Sequence, residues 1–264
     1  MINELYFALY AIKKNVQSNA ELRTSFIANI IGMMINNTSF LIIWIFFIRS
    51  VGIINGWTAA DILGLQGFSA LCFGIVFSAG GGIRHTAEYV SSGSFDRFLL
   101  SPKNLLLRLA TSSFGVSAVG DMLFGVACLA IYATLLHTTP YQVAFICVLV
   151  ILSTMVFLAA VVTVYSASFL FVDSNTVVDG LFELFLTPAL FHGGAFRGGM
   201  RFIFTFVIPS LLIGTLPVEA VRNASLEKLL LITLLSFAWL LISFKLFYAG
   251  VRKYESSNFM TFGS

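Results

Sequence analysis

Residues 24–48 read TSFIANIIGMMINNTSFLIIWIFFI, with Arg23 before them and Arg49 after. No side chain in that run ionises. Crossing about 30 Å of hydrocarbon takes roughly 20 helical residues. Inside lipid the backbone must satisfy its own polar groups, which an α-helix does within one segment. Residues 24–48 therefore predict a transmembrane helix, and the rest of the chain is read outward from them.

The same pattern repeats. Ile62–Ile83 lies between Asp61 and Arg84 and predicts a second span. From Leu109 to Val172 the only side chain ionised at neutral pH is Asp121. That stretch is too long for one crossing. His137-Thr138-Thr139-Pro140 breaks it, and Pro140 suits the first turn of a new helix. Spans over about 112–136 and 142–170 follow. Leu229–Val251 is the last clear span, with Lys245 close enough to its end to snorkel.

Composition agrees. The chain of 264 residues is 58% apolar and 10% charged, with a mean hydropathy of +0.95. Soluble domains run near 45–50% apolar and about 25% charged. A soluble enzyme, a disordered chain and a disulfide scaffold are excluded. The expected class is an all-α polytopic membrane protein, one domain over 1–264. The net charge of +3 reads as topology determinants in short loops, with no nucleic-acid partner. Cys72, Cys128 and Cys147 all fall in apolar stretches with no metal-ligand or redox spacing. The charged N-terminal stretch is not read as a signal peptide.

Residues 180–222 are less regular. Leu184–Phe196 and Phe202–Val218 are apolar, separated by Arg197, Gly198, Gly199 and Arg201. Pro209 and Pro217 each remove a backbone donor from the second stretch. The reading is a fifth span over 180–198 and a re-entrant hairpin over 200–222, with a kinked seventh span as the alternative. Placing the N-terminus in the cytoplasm puts Lys13, Lys14, Arg23, Arg84, Arg97, Lys103, Arg108, Arg252 and Lys253 inside. Arg49, Arg197, Arg201, Arg222 and Lys228 fall outside. The Lys/Arg bias thus favours both termini inside with six spans, although a seventh span leaves the same totals.

Two segments outside the spans carry information. In residues 1–23, Leu5, Leu9, Ile12 and Val16 recur at helical spacing and predict an amphipathic helix on the membrane surface. Residues 84–108, RHTAEYVSSGSFDRFLLSPKNLLLR, form the longest hydrophilic stretch between spans. Ser91–Ser94 is a break. Phe95, Phe98 and Leu99 then form an apolar face beside Asp96 and Arg97, predicting a short helix over 95–100 that lies on the bilayer or docks on a partner.

Catalytic signatures are missing. There is no G-x-x-x-x-G-K-[ST] stretch, so the chain binds no ATP through a P-loop. No nucleophile elbow or metal spacing occurs. Asp121 is the one acid well inside a span, where a charge costs about 2.5–3.5 kcal/mol on insertion scales. It is expected to face the bundle interior or a wet cavity, as an intramembrane polar site.

The chain resembles permease subunits of ABC-2 type ABC transporters over nearly its whole length. Gly93-Ser94-Phe95-Asp96-Arg97-Phe98-Leu99-Leu100-Ser101-Pro102 is similar to that family's G-x-hydrophobic-D-x-F-L-L-x-P stretch. Phe185–Gly193 resembles its proline-and-glycine element at span five. Ile208-Pro209 and Leu216-Pro217 match the hairpin that follows, and Gly250–Asn258 looks like the G-x-R-x-Y-x-S-x-N ending of a branch with two permeases and one ATPase. The resemblance implies that a separate cytoplasmic ATPase dimer binds the ATP, and that this chain holds no cofactor. It implies a second permease, identical or homologous, and a cytoplasmic (inner) membrane location. Gly93, Phe95, Asp96, Arg97, Phe98 and Leu99 would form the coupling segment, with Phe95, Phe98 and Leu99 as docking knobs. The hairpin with Pro209 and Pro217 would close the outer end. Export is the implied direction. An ion-gradient-driven secondary carrier is the competing reading, resting on Asp121; a membrane scaffold is a third.

Overall fold

A computed structural model describes residues 2–51, 56–171 and 174–255, and every regular element among them is a helix. Helix α1 is Ile2–Glu21 and α2 is Arg23–Val51. Helix α3, Ala59–Gly80, passes through a 3-10 turn at Gly81–His85 into α4, Thr86–Ser91. Two short helices follow, α5 at Asp96–Leu99 and α6 at Leu105–Ala110. The long helices α7, Val116–Leu135, and α8, Pro140–Ser166, are joined by a short turn and both pack on α3. Helix α9 is Ser174–Leu190, α10 is Gly198–Phe202, α11 is Thr215–Arg222 and α12 is Leu226–Val251.

Five stretches are long and apolar enough to cross a membrane: Arg23–Ile48, Ala59–Ser91, Val116–Leu135, Pro140–Phe169 and Leu226–Val251. Their starts follow local chemistry. Thr58 and Asp61 make a reciprocal capping box ahead of α3, with Asp61 N to Thr58 Oγ1 at 3.3 Å and Thr58 N to Asp61 Oδ2 at 2.9 Å. Thr139 and Gln142 do the same for α8, with Pro140 at its first position. The expected break at His137–Pro140 is there, and His137 takes φ of 50° to make it.

Helix α3 is buried on most sides and packs most extensively on α7, while α12 packs on α8 and α2 on α7. Hydrocarbon supplies little drive for helices to associate, so small residues that let backbones approach set these contacts. A Cβ on Gly74 would meet Met122 N at 2.5 Å and Ala118 O at 2.7 Å. One on Gly125 would meet Leu71 N at 2.5 Å, and one on Gly120 would meet Ile30 O at 2.5 Å. Helix α2 otherwise exposes its length, including Ile31, Ile35, Ile42 and Phe46, as an apolar helix does against lipid or another chain.

The expected fifth span over 180–198 needs correction. Helix α9 begins at Ser174 and ends at Leu190, so 191–198 lies beyond it. Charge was the guide to that boundary, but Asp179 and Glu183 sit on the exposed side of α9 while Val178, Phe182 and Phe185 face inward. The helix therefore carries its acids without ending at them. It has 17 residues with Pro188 near its end, about 25 Å at 1.5 Å per residue.

Residues 198–222 form a broken hairpin. Helix α10 runs into a single π turn at Ile203–Val207, then stops at Ile208, whose φ of −121° and ψ of 89° suit a residue before proline. Pro209 opens a 3-10 turn to Leu212. Pro217 lies in the first turn of α11, where its missing N–H has no helical acceptor to serve. Residues 209–221 are buried throughout. Gly214 lies against Leu65 and Ser69 of α3 with no room for a Cβ.

Candidate functional site

Two ends of the bundle can be told apart. One carries α1, residues 84–113 and the chain after α12. There Asn104 N donates to Glu4 Oε2 at 3.2 Å and Asn15 Nδ2 to Thr111 O at 2.8 Å, tying α1 to the connector.

The connector's sharp turn is at Gly93, whose φ of 69° is left-handed and favours glycine. It folds α5 back so that Phe95 is fully buried. The Phe95 ring lies 5.0 Å from both Phe169 and Tyr254, and Phe98 packs 5.2 Å from Tyr89. The expectation that Phe95 and Phe98 are outward knobs is therefore wrong for this chain: both anchor the turn. An apolar stripe gives the inward face of a short helix but not what covers it. Here the cover is Phe169 and Tyr254, far away in sequence. Tyr254 Oη also donates to Asp96 Oδ1 at 3.0 Å. Ser256, Ser257 and Asn258, which complete the expected tail pattern, lie outside the described residues.

What faces outward is Arg97, Leu99 and Leu100, the last two 46% and 87% exposed. Arg97 stacks its guanidinium 4.9 Å over Tyr89. Arg108 Nη1 donates to Phe98 O at 2.9 Å and holds the free carbonyls at the end of α5. The turn is thus a rigid base with an exposed tip of two leucines and a cation. Leu100, the most exposed of them, was not singled out from the sequence.

Asp121 lies mid-bundle on α7, against α2. It is 4% exposed and accepts from Asn37 Nδ2 at 2.6 Å. Its second oxygen is buried and has no donor among the described residues. With Asn36, Gln66 and Ser69 it lines a cavity of about 270 Å³.

At the other end, Glu219 of α11 is gripped by Arg201 Nη2 at 2.7 Å and Lys228 Nζ at 2.6 Å. Arg201 precedes the break in the hairpin and Glu219 follows it, so this pair closes the hairpin's two limbs. Burial pushes the Glu219 carboxyl up, but the hydrogen bonds and charges of Lys228 and Arg201 outweigh it and hold the group below the usual carboxylate range. Nearby, Arg222 Nη1 donates to Gly56 O at 2.7 Å and reaches Asp61 Oδ2 at 3.4 Å. Buried His192 lies 5.8 Å from Trp44 and 6.1 Å from Trp57. No local motif joins Arg201, Glu219 and Lys228. The only signal was a glutamate inside an apolar stretch flanked by two cations.

The predicted site residues thus fall in three places. Gly93 to Leu99 gather at one end, Pro209 and Pro217 are buried in the hairpin, and Asp121 lies between them among the long helices.

A bundle of apolar helices of membrane-crossing length defines a polytopic membrane protein. The model described as "ABC-2 family transporter protein" matches residues 32–258, and the chain belongs to that family. It is a permease component of an ABC transporter. No curated protein and no solved structure matches it.

Proposed function

We propose that this chain is the transmembrane subunit of an exporter in the cytoplasmic membrane, driven by a separate dimeric ATPase and paired with a second permease, identical or homologous. The observation that carries this reading is the turn at 93–102. Its base is fixed by Phe95 and Phe98, and its tip presents Leu99, Leu100 and Arg97 to the outside. A two-leucine tip on a rigid base transmits a push, whereas a floppy loop would absorb it. Helix α1 lies beside the same end, with Leu5, Tyr6 and Leu9 exposed for the membrane surface.

In this reading both termini are cytoplasmic, in line with the Lys/Arg bias, and α9 is the fifth of six crossings. The hairpin 200–222 dips into the membrane from the outer side, closed at its mouth by Arg201 and Glu219, with Pro209 and Pro217 at its breaks. ATP binding draws the ATPase pair together, moves the 93–102 tip, and biases the bundle between two states. Export follows from the family resemblance.

The test is co-expression with the candidate ATPase and purification of the complex. Leu99→Glu with Leu100→Glu should lose at least tenfold of the captured ATPase while the permease keeps its melting temperature. Full capture and full ATP-driven transport by the double variant would sink the docking claim. Transport by the chain alone, driven by an ion gradient and lost in Asp121→Asn, would instead favour a secondary carrier.

A further inference from the structure

The cleft between the hairpin and α12 has a definable chemistry. Its volume is about 580 Å³, and Arg201, Phe206, Glu227, Lys228 and Leu234 lie on its wall. Arg201 Nη2 donates to both oxygens of Glu219, at 2.9 and 2.7 Å, which leaves its Nε and Nη1 without an acceptor among the described residues. Lys228 Nζ gives one of its three hydrogens to Glu219 Oε2 at 2.6 Å. The Arg201 and Lys228 side chains stay 37% and 28% exposed, whereas Glu219 is buried behind them. Two cations against one buried carboxylate leave a positive charge and spare donors in the cleft. Glu227, one residue before Lys228, is exposed, and its side chain has no hydrogen bond or ion pair among the described residues.

The rest of the wall is apolar. Phe202, Phe206, Leu230 and Leu234 line it and are exposed. Helix α12 is of membrane-crossing length and starts at Leu226, so Lys228 lies near its mouth and Leu234 about 9 Å deeper along the axis. Cations at headgroup level above an apolar slot match a phospholipid. A phosphate takes paired hydrogen bonds from a guanidinium, and the first acyl carbons fill the slot. Glu227 repels a headgroup that is only negative and attracts one ending in an ammonium. We propose that this cleft binds one phospholipid with a zwitterionic, ammonium-bearing headgroup, its phosphate on Arg201 and Lys228, its ammonium on Glu227 and the start of its acyl chains between Phe206 and Leu234. Seated there, it joins the hairpin's first limb to α12. Its leaflet, the outer one, rests on the orientation proposed above, but its binding does not.

The test is native mass spectrometry of the full chain in detergent, titrated with dioctanoyl phosphatidylethanolamine, dioctanoyl phosphatidylglycerol, dioctanoylglycerol or inorganic phosphate. The ethanolamine lipid should give one saturable adduct. The glycerol lipid should bind at least threefold more weakly, and dioctanoylglycerol, which lacks the phosphate, at least tenfold more weakly. Inorganic phosphate, which lacks the chains, should give no adduct. Lys228→Gln leaves Arg201 on Glu219 and should weaken the ethanolamine lipid at least tenfold. Glu227→Gln, at an exposed position without a partner in the fold, should bring the two phospholipids to within twofold of each other. Thermal midpoints check that both variants fold, and Glu227→Gln alone decides if Lys228→Gln does not. No saturable adduct, equal binding of the two phospholipids by wild type, or dioctanoylglycerol or phosphate binding as tightly as the ethanolamine lipid would overturn the proposal. So would wild-type affinity in folded Lys228→Gln or unchanged selectivity in Glu227→Gln. No ATPase enters this assay, so its failure leaves the ATPase-capture result standing, and the converse.

Discussion

Glu219 shows how one residue holds a large element in place. Its side chain is 8% exposed and meets two cations, Arg201 and Lys228. Removing it strands both at the rim of a cavity of about 580 Å³. Glu219→Ala should cost ~2 kcal/mol, read as a lower thermal midpoint. The pH dependence has a fixed sign. A carboxyl held below its ordinary range in the folded state adds stability above its unfolded pKa, about 4.3. That stability is lost as pH falls through the depressed folded value. Wild type should therefore lose stability progressively on the acid side of about pH 4.3, and Glu219→Gln should lack that acid limb. A Glu219→Gln melting profile identical to wild type across the acid range would contradict the assignment.

At the scale of elements, two contacts set the architecture. The α3–α7 seam closes over Gly74 and Gly125, where a Cβ would strike backbone. Gly125→Val should destabilise the bundle by ~3 kcal/mol or more and cut the yield of folded protein. Gly199→Ala, which meets nothing within 4 Å, should leave both unchanged. The connector makes a second contrast. Phe95→Ala empties a buried site and should lower stability by ~3–5 kcal/mol, while Leu100→Glu should leave the melting temperature alone and lower only coupling.

These elements also show what could be read from the chain. Thr58 with Asp61 and Thr139 with Gln142 are local signals, and the helices start where they say. Charge-free runs located the long helices to within a few residues. Helix α9 was misplaced because hydropathy treats Asp179 and Glu183 as boundaries, whereas their helix lets them face outward. The anchoring of Phe95 was illegible because its partners, Phe169 and Tyr254, are joined to it only by folding. The same holds for the grip of Arg201 and Lys228 on Glu219.

At the scale of the molecule, the chain divides into an exposed tip at one end and a packed bundle. The tip is Leu99 and Leu100 on a base held by Phe95, Phe98 and Arg108. The bundle is locked by glycine seams and carries a polar cleft beside Asp121. The reading as an ATPase-driven permease stands or falls on what touches that tip. A photo-crosslinking side chain at position 100, in cells that also make the ATPase, measures this directly. An ATPase-driven permease should give one dominant cross-linked product, containing this chain and an ATP-binding subunit, whose yield changes when ATP hydrolysis is blocked. Cross-links only to lipid, or only to a second copy of the permease, with transport intact, would contradict it.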